Sequence, residues 1–425
     1  MARLVYLGLA LLVALQSACA SKSVLVLLQN ANEASKYSQF IDGIAAAEFV
    51  VDVRGYKDSS IKLREYGTWH YDDLVLLAPK AEGFGGGIDQ QTILDFVDSG
   101  HNVLMAVSSD VSEAMRSLAS EFGVDLDDKG TKVYDHFNYA TTADGKSDHT
   151  LVAAKDLVKI PVMVGGPYKE PVLFRGLAAT ISASSELATV VLSAPASAYS
   201  HDPRKPLLEP PSLLVGGGAS LITAVQARNN ARMVVAGGVE MFSNDFFDAQ
   251  VTVGRTKTST ANRAVCLSLA RWAFQESGVL VASGLRHHLL GQAEQPWGYR
   301  VNDEVEFLVD VVEREGNSTR PYKSDDIQLE FTMLSPYIRL PLQHDNQGTF
   351  SLRFKVPDVY GVFKYDIDYS RRGYSYIKLT HQVPVRPFKH NEYERFLTCA
   401  YPYYASALSM MAGFFGLGFF YLYHK

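Results

Sequence analysis

Between Tyr403 and Tyr423 the chain carries no charged side chain. At the rise of an α-helix such a run covers about 30 Å, the hydrocarbon thickness of a bilayer. The spacing therefore predicts a membrane-spanning helix over 403–423. Tyr401, Tyr403 and Tyr404 gather at one end and Tyr421 and Tyr423 at the other, where amphipathic rings settle at the two membrane interfaces. A buried C-terminal core helix is the alternative, but such a helix normally keeps one polar face and this run has none.

The opening residues supply the orientation. "MARLVYLGLALLVALQSACA" has one early cation, Arg3, an apolar run from Leu4 to Leu15, and then Ala18-Cys19-Ala20, a small-x-small cleavage pattern. This reads as a secretory signal peptide over 1–20, too short to span a membrane. The expected mature chain starts at Ser21, enters the endoplasmic reticulum lumen and is held there by its tail. It would be a single-pass type I protein, with 389–402 as juxtamembrane linker and 424–425 as cytosolic tail.

About 380 residues separate signal and span, which exceeds one typical domain. The formal net charge is −6 with both signs interspersed, and no basic stripe could neutralise a phosphate backbone, so nucleic acid is excluded as a partner. Of the three cysteines, Cys19 would leave with the signal. Cys266 falls within a predicted helix and Cys399 at the membrane edge, so no disulfide framework is expected. Asn317-Ser318-Thr319 is a sequon, a possible glycosylation site consistent with a lumenal location.

From Ser21 to about Gly284 strand and helix patterns alternate. "SVLVLL", "FVVDV", "LVLLAP" and "NVLMAVS" are short apolar runs. Helical patterns over Glu33 to Ala47, "DQQTILDFVDSG" and Val111 to Phe122 lie between or after them. This predicts an α/β doubly wound domain over 21–284, with a parallel sheet covered on both faces. The pattern loosens between Val133 and Val225 and resumes with "ARMVVAGGVEMFS" and the helix "NRAVCLSLARWAFQESG". Beyond it the period changes to two. "DEVEFLVDVVE", "IQLEFTML", "GTFSLRFKV", "GVFKYDIDY" and "YSYIKLTHQV" predict an all-β sandwich over 285–388.

Few residues in this frame point to chemistry. The turn "GFGGGIDQQT" could present backbone amides to an anion, but the Lys-Ser/Thr pair of a P-loop is missing and a strand-to-helix turn fits better. In "DLDDKG", Asp125, Asp127 and Asp128 have a spacing that can share one hard cation. Solvated acidic residues after a helix are the simpler reading. His287 and His288 are adjacent, point to opposite faces of a strand, and are expected at the surface or a domain junction. Cys266 is not on a nucleophile elbow and no G-x-S-x-G occurs, so no catalytic residue is assigned. Within the span, Ala405, Ser409 and Gly413 recur every four residues, and Ala412 pairs with Gly416. Small residues at that spacing let helix backbones approach one another.

The order of parts and the stretches "WHYDDLVLLAPKAEGFGGGID", "FVDSGHNVLMAVSS", "LRHHLLGQAEQPWGYRVNDEVEF", "LEFTMLSPYIRLPL" and "FKVPDVYGVFKYDIDYSRRGYSYI" resemble the 48 kDa subunits of dolichyl-diphosphooligosaccharide–protein glycosyltransferase, the oligosaccharyltransferase of the endoplasmic reticulum. The resemblance implies a non-catalytic accessory subunit, without cofactor or metal, in the complex that moves a preassembled glycan from dolichol pyrophosphate to Asn in Asn-x-Ser/Thr. The complex's catalytic groups would belong to a separate multi-spanning subunit. It also implies ribophorin II, ribophorin I and the defender-against-cell-death subunit as neighbours. The alternative is a membrane-anchored glycosyltransferase holding a metal through Asp125, Asp127 and Asp128.

Overall fold

The computed structural model describes residues 22–141, 147–182, 185–206, 214–253 and 256–424. The expected signal peptide over 1–20 and Lys425 lie outside the described residues.

A nine-stranded mixed sheet forms the centre of the first unit. Its order is Val50–Gly55, Ser23–Leu28, Asp73–Leu77, Asn102–Ala106, Arg232–Ala236, Ser220–Gln226, Ala179–Ile181 and Val124–Leu126, with Ala188–Ser193 also paired to Ser220–Gln226. The first five strands run parallel. Alternate side chains of Ser23–Leu28 enter two separate cores, Val24, Val26 and Leu28 on one face and Leu25 and Leu27 on the other, as the period of a strand requires. Ile93 and Phe96 of the helix Gln90–Asp98, with Met115 and Leu118 of Glu113–Glu121, cover the Leu25 face. Phe40 and Ile44 of Ser38–Ala45, with Val265, Leu269 and Trp272 of Asn262–Ala273, cover the other.

Two expectations are corrected. The sheet is not parallel throughout, because the turn Ala227 to Ala231, closed by the Ala227 amide on the Ala231 carbonyl at 2.8 Å, is too short for a crossover and joins Ser220–Gln226 to Arg232–Ala236 as an antiparallel pair. The helix expected over Glu33 to Ala47 divides into a 3₁₀ segment, Ala31–Tyr37, and the α-helix Ser38–Ala45. Ala34, Tyr37 and Phe40, all packed into the core, recur at the three-residue period that the tighter helix satisfies. The loosened stretch supplies Ala179–Ile181, Ala188–Ser193 and Ser220–Gln226 to the central sheet, three strands of a second five-stranded sheet that Gln250–Val253 and Thr256–Ser259 complete, and a two-stranded ribbon, Lys132–Tyr134 with Tyr199–His201.

Two five-stranded sheets make the second unit. In Glu304–Glu315, buried Val305, Phe307, Val309 and Val311 alternate with more exposed residues. They face Phe331, Phe363 and Tyr365 of the opposing sheet in one core, the packing of a sandwich. Its first strand, Val279–Leu289, contains Gly284, which has φ +63 in a bulge where the register shifts between Ser283 and Arg286.

The turn Ser370 to Tyr376 between two sandwich strands clasps the first unit. Trp272 Nε1 donates to the Gly373 carbonyl at 2.8 Å, Gln226 Nε2 to the Tyr374 carbonyl at 2.9 Å, and the Tyr376 amide to Asn230 Oδ1 at 2.7 Å. The helix Tyr401–Tyr423 follows the sandwich. Thr398–Tyr423 is long and apolar enough to cross a membrane, and its side chains are exposed along its length.

Candidate functional site

In doubly wound sheets ligands bind outside the carboxyl ends of the parallel strands. The glycine turn packs main chain on main chain. The Gly85 amide donates to the Tyr56 carbonyl at 2.7 Å, and a Cβ on Gly85 or Gly86 would lie 2.1 Å from the Asp58 carbonyl oxygen or 1.7 Å from that of Ile61. These glycines permit close backbone approach. Past the end of Arg232–Ala236 the segment Arg175 to Leu177 crosses over, with the Leu177 amide on the Gly237 carbonyl at 2.8 Å and room for no Cβ at Gly176, which would meet the same oxygen at 2.1 Å.

The segment that loosened in sequence brings together a row of six rings. His201, Tyr134, Tyr199, His136, His149 and Tyr139 follow one another with centroid separations of 6.3, 5.9, 5.9, 4.6 and 4.6 Å. The ribbon pairs Tyr134 with Tyr199 in register, and His136 Nε2 lies 3.0 Å from Tyr199 Oη. Asp135 is fully buried beneath the row. Its carboxylate accepts from the amides of Phe137 and Asn138 at 2.8 and 2.9 Å and from Ser197 Oγ at 2.9 Å. Burial alone would raise this carboxyl, but those donors outweigh it and hold it below the usual carboxylate range. The turn they fix presents His136 and leaves Phe137 82 % exposed. Desolvation, with Tyr199, Asp148 and Asp202 nearby, raises the Tyr134 hydroxyl, so it stays protonated. Arg175 donates to Asp148 at 2.6 Å and to Glu240 at 3.2 Å.

The residues singled out in the sequence are dispersed. Asp125 accepts from Ser120 Oγ at 3.1 Å. Asp127 takes the Ser200 hydroxyl and the Asp128 amide, and Asp128 is exposed. Among the described residues, no group of three or more His, Cys, Asp or Glu could hold a metal ion. Cys266 is fully buried with its thiol pushed up by desolvation, which leaves no thiolate for chemistry. His287 is not at the surface. It is 2 % exposed inside the sandwich, because strand alternation turns it inward against Tyr365 at 5.3 Å and His381 at 4.9 Å. Gln295 Nε2 can only donate, so His287 Nε2, 3.0 Å away, accepts, and Nδ1–H donates to Tyr299 Oη at 2.7 Å. Asn317 is exposed at the tip of a hairpin, its amide on Glu48 at 3.0 Å. In the apolar helix Ala405, Ser409 and Gly413 lie at the four-residue spacing that shares a face. Ser409 Oγ bonds the Ser406 carbonyl at 2.8 Å, and no heavy atom would meet a Cβ on Gly413 or Gly416 within 4 Å.

The six-ring row escaped the sequence reading because its members come from three separated segments. The one available sign was Tyr and His recurring two residues apart in "YDHFNYA" and "YSH".

Residues 15–276 match the family model described as the OST48 N-terminal domain, and residues 287–425 the one described as the OST48 middle domain. Among curated proteins, the chain is similar to the dolichyl-diphosphooligosaccharide–protein glycosyltransferase 48 kDa subunit of Arabidopsis thaliana, 42 % identical over 409 residues that cover 95 % of this chain and 93 % of the relative. The subunits so named in Danio rerio and Caenorhabditis elegans are 40 % and 38 % identical, covering 94 % and 95 % of this chain and 91 % of each relative.

Proposed function

The chain belongs to the OST48 family, and from that premise we propose that it is an accessory subunit of the oligosaccharyltransferase complex. That complex transfers a preassembled glycan from dolichol pyrophosphate to asparagine in Asn-x-Ser/Thr of nascent proteins. The observation that carries this reading is the length of the similarity: it runs through both folded units and the apolar helix, over more than nine-tenths of each relative. Chemistry in this reading is supplied by another subunit, and this chain contributes assembly and positioning.

Its place in the cell follows from the same reading. The helix Tyr401–Tyr423 spans the endoplasmic reticulum membrane once, both folded units lie in the lumen, and residues 1–20 are removed as a signal. Asn317, exposed on a hairpin tip, then carries a glycan of its own. An Asn317→Gln variant losing the glycosidase-sensitive increment of mass checks this, and an unaltered mass pattern refutes it. Ribophorin II, ribophorin I, the defender-against-cell-death subunit and the catalytic subunit are its neighbours.

The span makes part of these contacts through Ala405, Ser409, Gly413 and Gly416, where small side chains allow backbones to approach and gain dispersion contacts. Ser409→Leu together with Gly413→Leu keeps the segment apolar enough to insert. Membrane anchoring is expected to persist while co-purification of ribophorin II and the small subunit in mild detergent falls. Recovery of both at the wild-type yield would make the span a passive anchor. Failure of the unaltered chain to co-purify with any of these subunits would remove the accessory-subunit reading itself.

A further inference from the structure

We propose that the six-ring row is a carbohydrate-binding surface that stacks the pyranose units of an oligosaccharide. The choice of sugar as ligand rests on the accessory-subunit reading above, whereas the surface itself stands on its geometry. All six rings are tyrosines or histidines, five of them half-buried and His136 exposed. Tyr199 is bonded to His136, and Tyr134 lies stacked on Tyr199 with an interplanar angle of 21°. Rings of this kind combine a flat apolar face with a hydrogen-bonding tip. A pyranose has the complementary form, one face of C–H groups and a rim of hydroxyls.

The row is also held in place before any ligand arrives. Buried Asp135 fixes the turn by accepting from Phe137, Asn138 and Ser197, and strand pairing fixes Tyr134 against Tyr199. Rotamers already fixed cost little entropy on binding. Phe137 stands 82 % exposed on that turn. An outward aromatic group on a turn fixed by its backbone, beside further half-exposed rings, marks a contact surface rather than core.

Charge argues against an anion as the principal ligand. Arg175 beside the row is already held by Asp148 and Glu240, so it brings no free positive charge. The chain as a whole is at −6, and base stacking on these rings would lack the cations that neutralise a nucleic-acid backbone. Metal binding by His136 and His149 lacks further ligands, since no group of three or more could hold an ion among the described residues.

The same glycan reaches such a surface on the lipid-linked donor or on a glycosylated product, and the test separates the two. The full chain in detergent is examined by saturation-transfer NMR with a high-mannose oligosaccharyl diphosphate, with an asparagine-linked high-mannose glycopeptide, and with inorganic pyrophosphate. Transfer to pyranose C–H protons is expected with both glycans, and inorganic pyrophosphate added as competitor should not reduce it. A stronger response to the diphosphate assigns the donor, and a stronger response to the glycopeptide assigns the product. Tyr134→Ala and Tyr199→Ala should each weaken binding about tenfold, the loss of one stacked ring. Tyr199→Phe, which keeps the ring, should weaken it much less. Phe137→Ser, at a site too exposed to affect folding, should weaken binding severalfold and keeps the test open if an alanine variant unfolds. No transfer to either glycan, transfer unchanged in the ring variants, or displacement by pyrophosphate would overturn the proposal. Co-purification with the complex is read on the same preparations: assembly without sugar binding sinks the surface alone, and sugar binding without assembly sinks the subunit reading alone.

Discussion

The two folded units bury ionisable groups of opposite kinds, and each pays differently for it. In the α/β unit Asp73 is fully buried at the start of a central strand. It accepts from Asn102 Nδ2 at 2.7 Å on one oxygen and has no partner on the other. Desolvation pushes it up to about 7, against the pull of Asn102 and Lys22. In the sandwich His287 is buried with both ring nitrogens bonded. Desolvation, then His381 and His288, push it down to about 4. Each group is driven toward its neutral form by the loss of water, yet the consequences for pH are opposite. Asp73 binds its proton more tightly when folded, so its contribution to stability is whole below about pH 4 and is lost as pH rises through about 7. His287 binds its proton less tightly when folded, so its contribution is whole above about pH 6.5 and is lost as pH falls through about 4.

A third buried group joins the units, and disturbing it should have the largest effect. Arg232 is fully buried. It donates to the carbonyls of Trp272, Ser277 and Gly278 at 2.8, 2.7 and 2.6 Å, at the end of one helix and the entrance to the sandwich. Its guanidinium lies 4.8 Å from the Trp272 ring. Arg232→Met removes three charge-assisted hydrogen bonds, leaving the Trp272 and Gly278 carbonyls only the amides of Gln275 and Ser375 at 3.1 and 2.9 Å, and should destabilise the α/β unit by roughly 4 kcal/mol, at about 1.5 kcal/mol per bond to a charged group. Chemical denaturation with hydrogen exchange read separately at Leu74 to Leu77 and at Phe307 to Val309 will check it. Equal loss in both regions would mean that the units unfold as one.

Asp73→Asn keeps a hydrogen-bonding side chain beside Asn102 and removes the titration. It should raise the stability of the α/β unit by roughly 4 kcal/mol at pH 8 and leave it nearly unchanged at pH 4. A slope with pH that survives the substitution would show that another group carries it. His287→Gln should flatten the acid limb of the sandwich, which in the unaltered chain loses roughly 2 kcal/mol between pH 6.5 and 4. An acid loss of the same size in the α/β unit, read by exchange at its own amides, would break the contrast between the units. The smallest effect is expected at Asp125, Asp127 and Asp128. Their replacement by Asn should leave glycan transfer by the assembled complex nearly unchanged, whereas carboxylates holding a catalytic metal cannot be neutralised without a large loss. A hundredfold fall with assembly intact would favour the glycosyltransferase alternative.

Much of the fold was legible because its signals are local. Asp89 caps the helix Gln90–Asp98 by accepting from the Thr92 amide at 2.8 Å, and Gly100 follows with φ +95, so both ends were written in the sequence. The apolar helix begins at Tyr401, two residues before its expected start at Tyr403, as far as helix ends are ordinarily defined. Turns were read as punctuation, and here the reading fell short. "SRRGYSY" is a turn, but its carbonyls and amides are also the clasp on Trp272, Gln226 and Asn230. A strand pattern likewise placed His287 on one face without telling which face was covered.

Periodicity, caps and the uncharged run thus determined by themselves the alternating elements of the first unit, the strands of the second and the apolar helix, since each depends on residues within a few positions of one another. Only the tertiary structure decided that Arg232 would serve as the cap of a distant helix, that His287 would face inward, and that Tyr134, His136, Tyr139, His149, Tyr199 and His201 would form one row. Burial and contact are properties of which surfaces meet. A charge at the start of a strand or a tyrosine in a short ribbon has no local partner that would reveal them.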